Sequence, residues 1–237
     1  MRRAGKVVRE VLEHLRGLVK PGITTMDLEK AAVAKLSELK AVAAFKGYHG
    51  YPCVLCASVN QEVVHGIPSA KRVLHEGDIV SLDFGAVIDG YYGDSAITVP
   101  VGEKLDPKTV KLLEVTRASL EKAIQEVKPG ATLGDIGAAV QEVVEAAGFS
   151  VVRDFVGHGI GTHMHEEPQV PNYGQRGRGL KLREGMVIAI EPMVNVGKPD
   201  VEVLRDGWTA VTEDGSMSAH FEHTVAVTAS GASILTA

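Results

Sequence analysis

The stretch Val19-Lys-Pro-Gly-Ile-Thr-Thr-Met-Asp-Leu28 recurs along the chain as Val127-Lys-Pro-Gly-Ala-Thr-Leu-Gly-Asp-Ile136. The two copies lie 108 residues apart, because 127 − 19 = 108. In each copy Lys-Pro-Gly follows an amphipathic helical pattern and ends that helix, since proline cannot continue the hydrogen-bond ladder. The Thr-x-x-Asp string within each copy predicts a capping box that begins a second helix. Each half of the chain is therefore predicted to open with two helices.

A second match at the same offset predicts strands. Glu76-Gly-Asp-Ile-Val-Ser-Leu-Asp83 aligns with Glu184-Gly-Met-Val-Ile-Ala-Ile-Glu191, and 191 − 83 = 108. Both are apolar runs typical of buried strands, and each is expected to end in a carboxylate. We expect one domain of two similar halves, about 1–107 and 108–237, packed about a pseudo-twofold axis. The two terminal carboxylates would then face one central cavity from equivalent positions.

The composition is that of an ordinary globular protein. Of the 237 residues, 45% are hydrophobic and 23% are charged, which is enough for a sizeable core. The formal net charge of −5 argues against nucleic-acid specificity, because nucleic-acid-binding proteins usually present a strongly basic face. No apolar run approaches the roughly 18 residues that a membrane span needs, and the charged N-terminus does not resemble a signal peptide. A cytoplasmic protein with no membrane association is expected.

The two cysteines, Cys53 and Cys56, form a Cys-x-x-Cys string. A redox pair or half of a zinc site is one interpretation, but no second pair is present to complete a four-cysteine site. The segment from Val54 to Val59 is predicted as a strand, on which residues three apart point to opposite faces. Two unpaired thiols are therefore expected.

Two aspartates in β-type sequence are the first indication of chemistry. β-type runs flank Asp89-Gly90, a dipeptide typical of a hairpin turn. Folding back at this turn brings Asp83 and Asp94 nearly opposite each other. An ionised carboxylate is costly to bury, and a second carboxylate adds repulsion unless a proton or a cation lies between them. The alternative is that each aspartate caps a turn or pairs with an arginine.

Two glutamates extend this pattern. Glu191 follows an apolar strand that Pro192 ends. Glu222 is predicted at the head of another strand, where period-2 alternation places it on the same face as His220. Taken alone, either glutamate is also compatible with an exposed position at a strand end.

A glycine-rich loop carries three histidines within eight residues. The string Gly157-His158-Gly-Ile-Gly161 is followed by His163 and His165. Its glycines let the backbone turn sharply and approach a ligand closely. It lacks the Gly-x-Gly-x-x-Gly spacing of a phosphate loop, and the chain has neither a His-Glu-x-x-His helix nor a Gly-x-Ser-x-Gly motif. A phosphate-binding loop, a helical zinc protease and a serine hydrolase are all disfavoured.

Four carboxylates and one imidazole are therefore candidate metal ligands: Asp83, Asp94, His158, Glu191 and Glu222. Such oxygen-rich ligands suit hard or borderline divalent ions. Four negative charges balance two divalent cations, which favours two ions over one. Two ions about 3.5–4 Å apart can share bridging carboxylates and a hydroxide, which attacks a polarised carbonyl at neutral pH. The predicted reaction is hydrolysis, most naturally of an amide.

Over about residues 1–235, the chain resembles type I methionine aminopeptidases of the pita-bread fold. The strings that carry the resemblance are Gly47-Tyr-His-Gly-Tyr-Pro52, Ser58-Val-Asn-Gln-Glu-Val-Val-His-Gly-Ile-Pro68, Asp83 with Asp94, Gly157–Gly161, His165-Glu-Glu-Pro168, Ile190-Glu-Pro-Met193, Asp206-Gly-Trp-Thr209 and Phe221-Glu-His-Thr224. Each string is weak alone, but the ordered set is highly specific. The resemblance implies an α+β fold in which pseudo-twofold related halves pack helices outside a central, curved, mainly antiparallel sheet.

The resemblance also implies roles for individual residues. The five candidate ligands would bind the metals, with Asp94 and Glu222 bridging. His65 would contact the substrate amine and assist proton transfer, and His165 would stabilise the tetrahedral intermediate. Glu191 would act as the base. The methionine pocket would be walled by Phe45, Tyr48, Tyr51, Cys56, Met164 and Trp208.

The implied function is metal-dependent removal of the N-terminal methionine from newly made polypeptides through a metal-bridging hydroxide, with preference for a small second residue. Two divalent metal ions, from Co, Mn, Fe, Zn or Ni, would serve as cofactors. The partners would be peptide or nascent-chain N-termini and the ribosome near its exit tunnel, and the protein would be a monomer. The chain departs from the family at His220, where glutamine is expected, at Thr162 and His163, and in beginning within the first helix.

Two rival functions remain. Pita-bread enzymes that cleave before proline usually carry an additional N-terminal domain, for which this chain has no room. Type II methionine enzymes carry a long insert, whereas only 26 positions (191 − 165) separate His165 from Glu191. A non-catalytic binding relative would have lost metal ligands, but all five are present.

Overall fold

The computed structural model describes all residues from Met1 to Ala237 as an α+β fold. The helices are α1 (Arg2–Leu18), α2 (Thr25–Glu38), α3 (Pro107–Gln125) and α4 (Leu133–Ala146), with a one-turn 3-10 helix at Tyr48–Gly50. The strands are β1 (Val42–Ala43), β2 (Leu55–Val59), β3 (Glu62–Val64), β4 (Ile79–Ile88), β5 (Tyr91–Pro100), β6 (Ser150–Val151), β7 (Gly157–Gly159), β8 (Glu166–Val170), β9 (Val187–Ile190), β10 (Met193–Asn195), β11 (Val201–Val203), β12 (Ala210–Thr212), β13 (Ser218–His220), β14 (His223–Thr228) and β15 (Gly231–Ile234). None of the helices has the length and apolar character needed to cross a bilayer.

The predicted capping boxes are confirmed at the starts of α2 and α4. The Thr24 hydroxyl accepts the N–H of Asp27 at 3.1 Å, and the Asp27 carboxylate accepts the N–H of Thr24 at 3.0 Å. Thr132 and Asp135 form the same reciprocal pair. Each capping threonine also forms an isolated β-bridge to a residue 49 positions later (73 − 24 and 181 − 132), namely Thr24 with Val73 and Thr132 with Lys181. The bridges tie the helix starts to the segments that lead into β4 and β9.

The two larger of the four sheets carry or directly adjoin the five candidate metal ligands. One contains β1, β2 and β5 around β4, and the other has the order β15-β14-β9-β7-β8, with antiparallel pairing throughout. Helices α1 and α2 share an apolar core with the first sheet, and α3 and α4 share one with the second. Fully buried members of these cores include Leu15, Leu28, Leu82, Phe84, Leu112, Ile136, Ile188 and Ile190. Each sheet therefore has its own helical cover.

The hairpin between β4 and β5 turns at the predicted dipeptide. Asp89 and Gly90 both adopt positive φ, 51° and 79°, as a two-residue type I′ turn requires. The register pairs Asp94 with Gly85, so Asp83 lies two residues from direct opposition on the same face. The expectation that Asp83 ends its strand was wrong. Pairing with β5 continues to the turn and leaves Asp83 in the middle of β4.

The prediction of a glycine-rich loop was wrong for its first part, since Gly157–Gly159 is the short strand β7, whereas residues 160–165 lie outside any strand. Strand β7 pairs with β8 on one side and with β9 on the other. A Cβ added at Gly157 would collide with the carbonyl of Ala189, and one at Gly159 with the carbonyl of Glu167. These glycines therefore permit close strand approach rather than a sharp turn.

The expected state of the cysteines is confirmed. Both are free and buried, with Cys53 just before β2 and Cys56 within it.

Candidate metal centre and substrate pocket

A cavity of about 290 Å³ gathers the predicted site residues. Its lining includes all of the predicted metal-binding residues, namely Asp83, Asp94, His158, Glu191 and Glu222. It also includes all of the predicted substrate-contacting residues, namely Phe45, Tyr48, Tyr51, Cys56, His65, Met164, His165 and Trp208. The two sheets thus bring residues from most of the chain to one place.

The acidic end of the cavity has the geometry of a metal centre. Ligand atoms of Asp94, His158 and Glu222 all lie within 4.8 Å of one another. Nε2 of His158 is 3.6 Å from Oε1 of Glu191 and 3.9 Å from Oδ2 of Asp94. These separations exceed a hydrogen bond, as expected of groups that converge on an ion. The carboxyl of Asp83 completes the group in the same part of the cavity lining.

The carboxylates of this group have no cationic side-chain partner. Their ion-pair neighbours are histidines, so pairing with an arginine is ruled out. Three buried oxygens, Oδ1 of Asp83, Oδ1 of Asp94 and Oε1 of Glu222, have no hydrogen-bond partner. Unpartnered carboxylate oxygens are costly to bury, and a divalent ion among them would satisfy them. The donor set therefore fits divalent metals.

Burial raises the pKa values of these carboxyl groups. Burial, reinforced by the neighbouring carboxylates, holds the pKa of Asp83 and of Glu222 well above the usual range. The pKa of Glu191 is raised for the same two reasons, and burial raises the pKa of Asp94 to about 7. Without a cation, these carboxyls therefore retain protons near neutral pH.

His158 is held in the tautomer that binds a metal. Its Nδ1 lies 2.8 Å from the carbonyl oxygen of Gly159, which can only accept, so Nδ1 carries the proton. Burial, together with nearby His165, lowers the pKa of His158 to about 4, so the ring is neutral. The Nε2 lone pair then faces Glu191 and Asp94.

Glu222 directly precedes β14, within one residue of the predicted strand head, but the predicted strand alternation with His220 was wrong, because a break separates the two residues. The chain leaves β13 at His220 and enters β14 at His223. Strand β5 holds the break, because the Ser95 hydroxyl donates to the carbonyl of Glu222 at 2.5 Å and the Glu222 N–H donates to Ala96 at 2.9 Å. Both His220 and Glu222 nevertheless line the cavity.

The other end of the cavity is an apolar pocket. Its buried core comprises Ala44, Phe45, Tyr51, Cys53, Cys56 and Met164, with Tyr48 and Trp208 packed against it. The Tyr51 hydroxyl donates to the carbonyls of Leu55 and Gly66 at 3.0 and 3.1 Å, and its ring meets Trp208 edge-on at 5.1 Å. A slot of aromatic rings and sulfur suits an unbranched apolar side chain such as a thioether.

Histidines lie between the two ends. Burial, with a smaller contribution from His165, lowers the pKa of His65 to about 4. The ring of His165 lies 4.3 Å from that of His158, and its Nδ1 is 2.7 Å from the Tyr48 hydroxyl. His220 is 2% exposed, and neither of its ring nitrogens has a hydrogen-bond partner. Its Nε2 is 3.8 Å from Oε2 of Glu191.

Four lining residues were not predicted from the sequence: His49, Val64, Phe155 and Val156. His49 and Val64 lie inside strings that carried the family resemblance, so their proximity to the site was open to prediction. Phe155 and Val156 precede the glycine-rich string and belong to no motif. The ring of Phe155 meets His65 edge-on at 5.5 Å, a contact that depends on distant parts of the chain.

Comparison with known proteins places the chain in a family. The profile of metallopeptidase family M24 matches residues 1–229. The chain belongs to metallopeptidase family M24. It is 52% identical over 236 residues to a methionine aminopeptidase of Clostridium acetobutylicum, with 100% of this chain and 94% of that protein covered. The predicted resemblance to the bacterial, type I methionine aminopeptidases of family M24 is thereby confirmed.

Solved structures agree with this assignment. A crystal structure of methionine aminopeptidase from Thermotoga maritima superposes with a TM-score of 0.98 at 53% identity, covering 100% of this chain and 94% of that one. A prolidase from Pyrococcus furiosus gives a TM-score of 0.79 at 22% identity, covering 100% of this chain and 62% of that one, and shares the fold. The predicted pita-bread fold is confirmed. M24 metallopeptidases bind divalent metals, in agreement with the buried Asp94, His158 and Glu222 group.

Proposed function

We propose that this chain removes the N-terminal methionine from polypeptides by metal-dependent hydrolysis and prefers a small second residue. The proposal rests on one observation, namely that an apolar pocket and an acidic group line the same cavity. A pocket of aromatic rings and sulfur, including Phe45 and Met164, opens onto the acidic group around Asp94 and Glu222. Sequence identity of about half to methionine aminopeptidases supports the same conclusion.

Asp83, Asp94, His158, Glu191 and Glu222 would hold two divalent ions. When bound, such ions provide Lewis acidity and an activated water at neutral pH. Two observations support this assignment: buried carboxylate oxygens have no hydrogen-bond partner, and the Nε2 lone pair of His158 is free. The identity of the metal is left to experiment, because oxygen and imidazole ligands suit several divalent ions.

Glu191 would act as the base that transfers the proton. It follows β9 at the edge of the acidic group, and a side-chain oxygen of Glu191 faces His220 at 3.8 Å. A carboxylate there can accept a proton from the attacking water and return it to the leaving amine. The side-chain amide of Asn172 donates to the backbone carbonyl of Glu191 at 3.1 Å and so fixes the backbone of Glu191.

The two neutral histidines would bind the reacting peptide. His65, beside Trp208 at the pocket, would contact the substrate amine. His165, beside His158, would donate to the scissile carbonyl oxygen as negative charge develops there. Burial lowers the pKa of His65 to about 4 and also lowers the pKa of His165, which supports neutral imidazoles that donate or accept one hydrogen bond at each nitrogen.

The proposal includes the setting of the reaction. Nascent chains in the cytoplasm, near the ribosomal exit tunnel, are the proposed natural substrates, and the protein is proposed to act as a monomer. Peptide N-termini are the substrates of the methionine aminopeptidases that the chain resembles.

The deciding experiment is methionine release from Met-Gly-Met-Met and Met-Lys-Met-Met peptides. Metal-stripped protein, protein with Mn²⁺ or Co²⁺ restored, and Asp94→Asn with the same metal are compared. Glu13→Gln, an exposed change on α1, is the matched control. We expect metal-dependent release that Asp94→Asn abolishes and Glu13→Gln preserves, with the Met-Gly peptide cleaved faster. Absence of release with every metal would overturn the function, and X-Pro peptides would be tested next.

A further inference from the structure

The hydroxyl of Tyr48 and the ring of His165 form an isolated pair at the mouth of the cavity. The hydroxyl oxygen lies 2.7 Å from Nδ1 of His165, with the ring centroids 5.2 Å apart. This is the single side-chain hydrogen bond that either residue makes within the chain. The two residues come from distant segments, 117 positions apart.

A count of protons within the chain favours the phenol as the donor of this hydrogen bond. A phenol carries one proton, and Tyr48 has no other acceptor in the chain. If Nδ1 of His165 carried a proton, the phenol proton would lose that acceptor. If the phenol donates to Nδ1, both atoms are satisfied, and the ring proton of a neutral imidazole lies at Nε2.

The backbone around Tyr48 is rigid enough to hold this geometry. Tyr48 begins a one-turn 3-10 helix after Gly47, whose φ of 87° is readily adopted by glycine. The Tyr48 N–H donates to Phe45 at 2.9 Å, and the Tyr51 N–H donates to Tyr48 at 3.0 Å. Both Phe45 and Tyr51 belong to the buried pocket core, so the pocket wall anchors the Tyr48 backbone.

We propose that Tyr48 is a positioning residue that keeps His165 in the tautomer protonated at Nε2 and aimed at the substrate carbonyl. This inference rests on the proposed function. Because the Tyr48 ring also walls the pocket, one side chain links recognition of the substrate side chain to orientation of the carbonyl donor. Loss of the hydroxyl therefore lowers kcat, whereas the pocket wall, and with it KM, is retained.

The kinetic test uses Tyr48→Phe in the metal-loaded protein with a Met-Gly-Met-Met peptide. We expect kcat to fall by about 10- to 100-fold, the scale of a misplaced catalytic group, while KM changes by less than about twofold. Tyr91→Phe is the matched control, because Tyr91 is exposed at the start of β5, outside the cavity lining, and its hydroxyl makes no hydrogen bond. Retention of wild-type kcat by Tyr48→Phe would overturn the inference.

The second test observes the tautomer directly. Ring ¹⁵N NMR of the full chain, metal-free and with Zn²⁺ added, should show His165 with an unprotonated Nδ1 and a protonated Nε2. The signals are assigned by their loss in His165→Gln, and Tyr48→Phe should give a mixture of tautomers. A protonated Nδ1 in the wild type would overturn the inference. If the tautomer is found but no methionine is released, the proposed function is overturned, while control of the His165 tautomer by Tyr48 is confirmed.

Discussion

The carboxylate of Glu29, buried on α2, accepts the backbone N–H of Leu55 at 3.0 Å and also that of Val54 at 3.0 Å. These donors lie at the start of β2, the strand that carries Cys56 into the substrate pocket. A helix side chain thus satisfies strand donors that no neighbouring strand reaches.

Glu29→Ala is expected to destabilise the protein by about 2 to 4 kcal/mol, because two buried N–H groups lose their acceptor. The measurement is the free energy of unfolding in urea. Glu13→Gln is the control and should stay within about 0.5 kcal/mol of the wild type. Equal stability of Glu29→Ala and the control would contradict the role given to the carboxylate.

Gly159→Ala is expected to lower metal affinity and stability together, since its Cβ would collide with the carbonyl of Glu167 and displace β7, which carries His158. Overpacking of this kind costs about 1 to 3 kcal/mol. Calorimetric titration with Mn²⁺ and urea unfolding measure the two effects. Gly17→Ala is the matched control, because a Cβ there meets open space on α1, and it should stabilise by about 0.4 to 1 kcal/mol. Normal affinity in Gly159→Ala would show that β7 tolerates the shift.

Metal uptake is expected to release protons near neutral pH. Asp94 has a pKa of about 7 without a cation, and the pKa values of Asp83 and Glu222 are higher than usual. A raised pKa means that the carboxyls keep protons at neutral pH, so the metal must displace them and binds more weakly as the pH falls. Calorimetry in two buffers of different ionisation enthalpy measures the release. Identical heats in both buffers would contradict this expectation.

Both thiols are expected to react slowly with alkylating reagents in the folded protein. Burial raises the pKa of Cys53, and burial together with Asp83 raises that of Cys56 further, so little thiolate is present at pH 8. Mass spectrometry after iodoacetamide treatment should show Cys56 as the slower site, with rapid labelling of both in urea. Rapid labelling of native Cys56 would be inconsistent with its enclosure.

Much of the site could be predicted because its residue types are unusual for their surroundings. Asp83 stands in an apolar strand, and all five candidate ligands are recognisable from residue type and sequence context alone. Their arrangement could not be predicted to the same degree. Asp94 pairs with Gly85 rather than with Asp83, because the register is set by the whole ladder from the turn onward. Phe155 faces His65 through packing that no local pattern encodes.

The sequence by itself determined what depends on neighbours within a few positions. The Thr24–Asp27 cap and the Asp89-Gly90 turn are examples, since their hydrogen bonds and dihedral angles are local. Only the tertiary structure decided that the string around His158 is a strand, that Glu222 lies in a break, and that Tyr48 meets His165. Each of these features depends on contacts with residues far along the chain. Those contacts stabilise it only after the two sheets and their cores have packed.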